Sequence, residues 1–198
     1  MKKILLLTCV LMTYSFSQSI IFLGAENQKR VYIGYDYDQF LGFFVKNTVF
    51  KQDLDLQQVE INPYINYRPF PSISIRFNPY FGTRYNSDFY FAGSRFSLNW
   101  SKYHFFQFKT EAGPYYHSRN KYSTLYTTQI QTFLLPNLGL AVGVKNTPEY
   151  NLIEKRMFGG VVIKDTHSQI ETTLSAPYSH KDSHLIRFNI SFHHNIHL

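Results

Sequence analysis

From residue 186 to the end of the chain, apolar and polar side chains take turns. The even positions read Ile186, Phe188, Ile190, Phe192, His194, Ile196 and Leu198; the odd positions read Arg187, Asn189, Ser191, His193, Asn195 and His197. A period of two sustained this far belongs to a β-strand with one apolar and one polar side. The pattern recurs upstream. Val59, Ile61, Pro63, Ile65 and Tyr67 alternate with Gln58, Glu60, Asn62, Tyr64 and Asn66. After Arg68-Pro69-Phe70-Pro71, a turn, Ile73, Ile75, Phe77, Pro79 and Phe81 alternate with Ser72, Ser74, Arg76, Asn78 and Tyr80. Shorter runs follow around Phe106–Ala112, Leu138–Val144 and Ile170–Leu174. No helical period survives beyond a turn or two.

This reading predicts strands near 29–37, 40–50, 56–67, 72–82, 88–100, 102–116, 123–135, 138–147, 152–164, 167–175 and 184–197. Several reach 10–14 residues, nearer the ~9–11 of a tilted membrane strand than the ~5–6 usual in soluble sheets. The segments number eleven, and a closed bacterial barrel wants an even count. Either the first two are one irregular entry segment, or 167–175 is not an independent strand. Eight or ten strands fit the length, with ten preferred. The expected fold is therefore all-β, an antiparallel up-and-down transmembrane barrel.

The N-terminus reads as an address. Met1-Lys2-Lys3 is positive, Ile4 to Met12 is a short apolar run, and Ser15 and Ser17 place small residues at −3 and −1 before Gln18. That is the layout of a secretory signal peptide, expected over 1–17 with the barrel domain over 18–198. The apolar run is shorter than the ~20 residues of a spanning helix. Cys9, the single cysteine, lies in this leader; Thr8 before it does not suit a lipoprotein signal. The mature chain then has no thiol, hence no disulfide framework or cysteine metal site.

Composition sharpens the choice between membrane and soluble barrels. Aromatics reach 18% while charged residues are only 17%, below the ~25% of ordinary domains. Mean hydropathy is still −0.26, as alternation of apolar with small polar residues requires. Tyr85, Phe89, Tyr90, Trp100, Tyr103, Tyr115, Tyr116, Tyr122 and Tyr126 fall near strand ends. Interfacial girdles take such residues, because one side of the ring meets lipid and the other water. Mid-strand charges of both signs, Glu60, Arg76, Lys109, Glu111, Lys145, Glu171 and Arg187, are expected to face the barrel interior, with Gly139, Ala141 and Gly143 making room. The net charge is +7, but Lys and Arg are scattered singly, which excludes a nucleic-acid patch.

The final strand resembles the C-terminal signature of bacterial outer-membrane proteins through Phe188, Ile190, Phe192, Ile196 and Leu198. The class usually ends in an aromatic residue, whereas this chain ends in Leu198. The resemblance is to a class and carries no family-specific motif. It implies a porin-like barrel in the outer membrane of a two-membrane bacterium. Its expected partners are outer-membrane lipid and, during biogenesis, the barrel assembly machinery, and it is expected to be a monomer.

Candidate chemistry is sparse. His193, His194 and His197 are dense, but strand geometry lets at most two converge, and His180 and His184 flank a turn; no metal or other cofactor is expected. Tyr116-His117-Ser118-Arg119-Asn120 loosely resembles the His-x-Ser-Asn of a lipid A deacylase, which makes His117 and Ser118 the weak catalytic alternative. Adjacent strand residues point to opposite faces, which argues against that dyad. Gly159-Gly160 reads as a strand bend or bulge. The expected function is a non-enzymatic outer-membrane barrel, its interior filled by polar and charged side chains, acting through its loops in a structural, adhesive or interaction role. Two alternatives stand beside it. One is a lipid-modifying barrel enzyme of the lipid A acyl hydrolase or transferase type; the other is a soluble periplasmic or secreted β-sandwich binding protein.

Overall fold

The computed structural model describes residues 20–26, 30–37, 40–48, 58–85, 88–102, 105–118, 121–149, 152–178 and 186–197. The leader expected over 1–17, with Cys9, lies outside them, as do His180, His184, Arg119 and Asn120. Twelve strands follow in order: β1 (Ile20–Glu26), β2 (Arg30–Tyr37), β3 (Leu41–Thr48), β4 (Gln58–Phe70), β5 (Ile73–Arg84) and β6 (Tyr90–Lys102). β7 (Phe106–His117), β8 (Lys121–Leu135), β9 (Leu138–Glu149), β10 (Leu152–Lys164), β11 (Ser168–Pro177) and β12 (Arg187–His197) complete the set. Each pairs antiparallel with its sequence neighbour, and β1 closes on β12 through Ile20↔His197 to Glu26↔Ser191.

The count corrects the expectation of eight to ten strands. All eleven segments are strands, including 167–175, and the parity is restored by adding one rather than removing one. The added strand, β1, reads Ile-Ile-Phe-Leu-Gly-Ala-Glu, a solid apolar run followed by two small residues. It has no period of two to announce it. Its assignment comes from its neighbours, which offer it hydrogen bonds on both sides, from β2 and from β12.

The wall has two faces with sharply different chemistry. On β4, Ile61, Ile65 and Tyr67 are exposed at 50%, 49% and 60%, while Glu60, Asn62, Tyr64 and Asn66 between them are at most 4% exposed. Apolar residues therefore face out and polar ones in, the reverse of a soluble sandwich, and the β-sandwich alternative falls with it. Among the described strand residues the outward rows carry no acid, and cations only at Lys102 and Lys155, close to strand ends. Closure leaves no sheet edge to be satisfied in an apolar medium. Two facing prolines, Pro63 and Pro79, break the β4–β5 ladder locally. Asn78 repairs the gap by donating its Nδ2 hydrogens to the carbonyls of Pro63 (2.7 Å) and Pro79 (3.3 Å).

The ends differ as well. At one end β2–β3, β4–β5, β6–β7, β8–β9 and β10–β11 are joined by short turns, and the outer ends of β1 and β12 lie beside them. At the other, the β3–β4 and β11–β12 connections span residues 49–57 and 178–186. The same end also carries the short β1–β2, β5–β6, β7–β8 and β9–β10 connections; both long connections thus lie on one side, the usual polarity of such barrels. Tyr90, Tyr116 and Tyr122 ring the loop end outside, with Tyr116 4.8 Å from Tyr122; Trp100 and Phe106 pack at 5.5 Å near the turn end. Phe89 and Tyr115, expected in this girdle, instead point inward, and Tyr103 is outside the described residues. Gly159 and Gly160 lie in unbroken register with both β9 and β11, so no bulge forms there.

Candidate functional site

The barrel interior is where this chain concentrates polar chemistry, and period-two geometry delivers it there. Twelve strands enclose more space than eight, whose lumen side chains just fill. Among the described residues two cavities open between the polar and charged side chains of the interior. One, of about 580 Å³, lies toward the turn end and is lined by Arg68, Arg76, Lys109 and Glu111 together with Ser72, Ser74, Ser97, Asn99, Ser101, Gln107, Thr127 and Gln129. The second, of about 260 Å³, is lined by Arg30, Lys46, Arg95, Lys145, Glu171, Thr173, Asn189 and Ser191 among others. Glu111, Thr127 and Gln129 belong to both walls.

The interior charge is one-sided. Among the described side chains the inward rows carry eleven cations: Arg30, Lys46, Arg68, Arg76, Arg84, Arg95, Lys109, Lys145, Arg156, Lys164 and Arg187. Four acids oppose them, Asp36, Glu60, Glu111 and Glu171. Among these described side chains the cations outnumber the acids by seven. Low-dielectric walls focus such a field along the axis, raising the local concentration of anions.

Side-chain packing keeps the cations apart and in place. Arg76 lies over the ring of Tyr64 at 4.1 Å, Arg84 over Phe89 at 3.9 Å, Arg95 over Tyr80 at 4.6 Å and Lys164 over Phe133 at 3.6 Å. A ring face attracts a cation without neutralising it. Arg156 is held differently, donating from Nε to Ser175 Oγ (3.2 Å) and from Nη2 to the Ser175 carbonyl (2.8 Å). Two acids form cross-strand nodes. Glu60 takes Lys46 at 3.0 Å and Arg95 at 3.6 Å. Glu171 accepts from Gln129 Nε2 at 2.7 Å and, more weakly, from Gln131 Nε2 at 3.4 Å.

Toward the loop end the interior changes character. Tyr80, Phe89, Phe91, Tyr115 and Leu125 form a buried cluster, with Phe91 6.3 Å from Tyr80 and 6.0 Å from Tyr115. Glycine makes this possible on two strands: a Cβ at Gly82 would sit 2.1 Å from the Phe91 ring, and one at Gly93 would meet the Tyr80 hydroxyl at 2.4 Å. The rings lie flat across the bare backbone of the next strand, covering what glycine leaves open.

The seven charges singled out from sequence all sit on inward rows: Arg76, Lys109 and Glu111 line the turn-end cavity, Lys145 and Glu171 the second one, Glu60 is buried between Lys46 and Arg95, and Arg187 starts β12. Sequence reading passed over Arg30, Arg68, Arg84, Arg95, Arg156, Lys46, Lys164 and Asp36. Parity alone could have found most of them, since Arg84 shares a row with Arg76, and Arg30 with Gly34 and Asp36. On β6 and β10, however, both faces carry large apolar residues near Arg95 and Arg156, which hides the alternation.

His117 and Ser118 do not form a dyad. His117 is buried in the interior against Phe89 (5.4 Å) and Tyr115 (5.9 Å). Ser118 Oγ accepts from Tyr90 N and donates to the Asp88 carbonyl, both at 3.2 Å, closing the loop-end connection instead. His193 and His194 also diverge: His193 meets Tyr32 and Asn195 inside, while His194 stacks on Phe192 and contacts Ser168. Among the described residues no three His, Cys, Asp or Glu side chains cluster as metal ligands do.

A closed, even-stranded antiparallel barrel with apolar outer rows, short turns at one end and a polar lumen defines the class: this is the architecture of an outer-membrane porin-type barrel. Two solved structures of KdgM porin share it. One, in complex with disordered oligogalacturonate, matches with a TM-score of 0.67 at 10% identity over 91% of this chain and 99% of that one. The other, KdgM porin alone, matches with a TM-score of 0.67 at 12% identity over 90% and 99%. Outer membrane phospholipase A from Escherichia coli overlaps at a TM-score of 0.45 and 11% identity, over 93% of this chain and 92% of that chain, too little to argue from. At these identities the likeness is one of fold. No family model matches the chain, and no curated protein matches it by sequence.

Proposed function

We infer that this protein is an outer-membrane channel that admits anionic, hydroxyl-rich solutes. The observation that carries the reading is the lumen itself, with eleven cations against four acids among the described side chains and serine, asparagine, glutamine and threonine between them. Cations attract a carboxylate or phosphate, and the amide and hydroxyl side chains replace the water that a sugar's hydroxyls give up on entry. The KdgM porin that shares this fold was solved with an oligogalacturonate, an acidic oligosaccharide, and its substrate class is the natural first one to test here. In this reading the leader directs export, the barrel assembly machinery inserts the chain, and the barrel works as a monomer surrounded by outer-membrane lipid. A structural or adhesive role through loops would draw on residues 49–57 and 179–185, which lie outside the described residues.

The test is electrical. Barrel purified from the outer-membrane fraction and shown to be heat-modifiable on gels is inserted into planar bilayers under a KCl gradient. Discrete conductance steps with a reversal potential on the chloride side are expected, together with block by added oligogalacturonate. Cation preference would overturn the reading, as would an intact barrel that passes no current.

A further inference from the structure

The outer wall is not filled equally all the way round. On β10 the outward row reads Lys155, Met157, Gly159, Val161 and Ile163, set between the buried Arg156, Phe158 and Val162. Among the described residues Gly159 is the one glycine on an outward row. A Cβ at Gly160 would come within 1.9 Å of the Thr172 carbonyl oxygen, and one at Gly143 within 2.5 Å of the Phe158 ring. At Gly159 an added Cβ would meet only the Ala141 carbonyl oxygen, at 3.7 Å. The space over Gly159 is therefore open, and no close approach of backbone or ring demands a glycine there. A groove of about 600 Å³ opens at this point, with Ile130, Val142, Met157, Leu174 and Ile186 as its walls and Gly159 and Ala176 as its floor. The register accounts for it. Gly159 lies between Val142 on β9 and Leu174 on β11, and Met157 pairs with Ala176, so two short side chains meet diagonally among long ones. From Ile130 on β8 to Leu174 on β11 the groove crosses three strand spacings, roughly 14 Å.

The rim of this groove says what fills it. Toward the loop end of the same outward row stands Lys155, exposed and four residues from Gly159, a rise of roughly 13 Å along the strand. Among the described strand residues it is the only outward cation at this end, since Lys102 lies at the turn end. Tyr178, 54% exposed, stands next to it, its N–H donating to the Lys155 carbonyl at 3.0 Å. A cation and a tyrosine at interface depth, above an apolar recess, complement the phosphate, the headgroup boundary and the acyl chains of an anionic lipid. We propose that the outer face of β8 to β11 is a binding site for one molecule of lipid A, its acyl chains over Gly159 and a phosphate at Lys155. The longer loops of such barrels face the cell exterior, which puts Lys155 at the surface of the outer leaflet. The width of the groove takes acyl chains side by side, and lipid A supplies several from one phosphorylated headgroup where a phospholipid supplies two. The site lies outside the barrel, so it stands whether or not the lumen conducts.

Native mass spectrometry of the detergent-solubilised, heat-modifiable barrel tests the site. The added lipids are lipid A, lipid A stripped of its phosphates, and phosphatidylglycerol. Wild type should retain one lipid A and hold the dephosphorylated form about fivefold more weakly, the usual weight of one basic residue at a membrane surface. Lys155→Ala should remove that preference, and Lys102→Ala should keep it. Gly159→Leu fills the groove and should weaken the binding of both forms by about tenfold, as excluding roughly two methylene groups of chain would. Equal lipid A binding by wild type, Lys155→Ala and Gly159→Leu overturns the site, as does phosphatidylglycerol held as tightly as lipid A. A wild-type dimer that Gly159→Leu splits, with lipid binding unchanged, also overturns it and makes this face a contact between two copies. Should Gly159→Leu fail to assemble, Lys155→Ala, a change at an exposed side chain, still decides the phosphate contact.

Discussion

The two ends of the lumen are built from the same strands and the same inward parity, yet they have opposite contents. Toward the turns, β4 to β7 present Arg68, Arg76, Asn99 and Lys109 around an open cavity. Toward the loops the same sheet presents Tyr80, Phe89, Phe91 and Tyr115, packed ring against ring with Leu125. Pointing inward is therefore no guarantee of polarity. What separates the halves is the pairing of a large ring with a glycine on the neighbouring strand, Phe91 with Gly82 and Tyr80 with Gly93, which turns part of the inner wall into a packed core. The turn half of β4 to β7 has no glycine and keeps its space for water and solute, while rings cover glycines elsewhere round the wall, Tyr64 over Gly42 and Phe133 over Gly139. The packed half holds the barrel's shape, and the open half is free to carry function.

The largest effect that would break this contrast is Phe91→Ala. Phe91 is 2% exposed, and emptying such a site costs about 3–5 kcal/mol, read as a lower denaturation midpoint in urea for barrel refolded in vesicles. Ser97→Ala in the open half should change it by less than about 0.5 kcal/mol. Equal effects at the two sites would mean the halves do not differ in packing. The wall around both halves is probed by Ile190→Arg, which puts a charge on the outer row at a cost of about 2–4 kcal/mol near the midplane. Ser191→Thr, on the inner row, should matter little, and equal tolerance at 190 and 191 would reverse the facing assigned to β12.

Gly82→Val tests the glycine–ring pairing itself. Its side chain would have to displace the Phe91 ring, an overpacking worth about 1–3 kcal/mol, and the double variant Gly82→Val/Phe91→Ala should destabilise by less than the sum of the two single changes. Full additivity would show that the ring does not occupy the space over Gly82. The smallest effect concerns the turn between β10 and β11. Backbone N–H groups of His167 (2.7 Å) and Ser168 (2.6 Å) donate to Asp165 Oδ1, and these hydrogen bonds hold its carboxyl below the ordinary 3.8. A carboxyl depressed in the folded state contributes stability above its unfolded value, and that contribution is lost as pH falls through the folded one. Wild type should thus lose slightly more stability than Asp165→Ala between pH 6 and pH 3, in a urea titration at each pH. An equal loss in both would show that the turn does not depend on the charge.

Much of this was readable along the chain. Strands with clean alternation, β4, β5 and β12, were legible in extent and facing, because each side chain sees a uniform medium on its own side of the wall. The seven interior charges shared that legibility, since a charged side chain cannot stay on an apolar outer row. Phe89 and Tyr115 misled because an aromatic residue near a strand end suits an interface and a packed interior equally well. Only the ring's partner on the next strand distinguishes the two.

Local pattern thus determines what can be decided one residue at a time: that the chain forms strands, that they alternate, and that the charges go inside. The number of strands was beyond it, because β1 has no periodicity of its own and exists as a strand only through the hydrogen bonds that β2 and β12 offer it. The bore was also beyond it, since the width of a barrel is a property of closure. So was the tie from Glu171 to Gln129 and Gln131, which links residues 42 and 40 positions apart in sequence over two strands whose small side chains leave the way clear. Those features belong to the tertiary structure, because each depends on which strands become neighbours when the sheet closes.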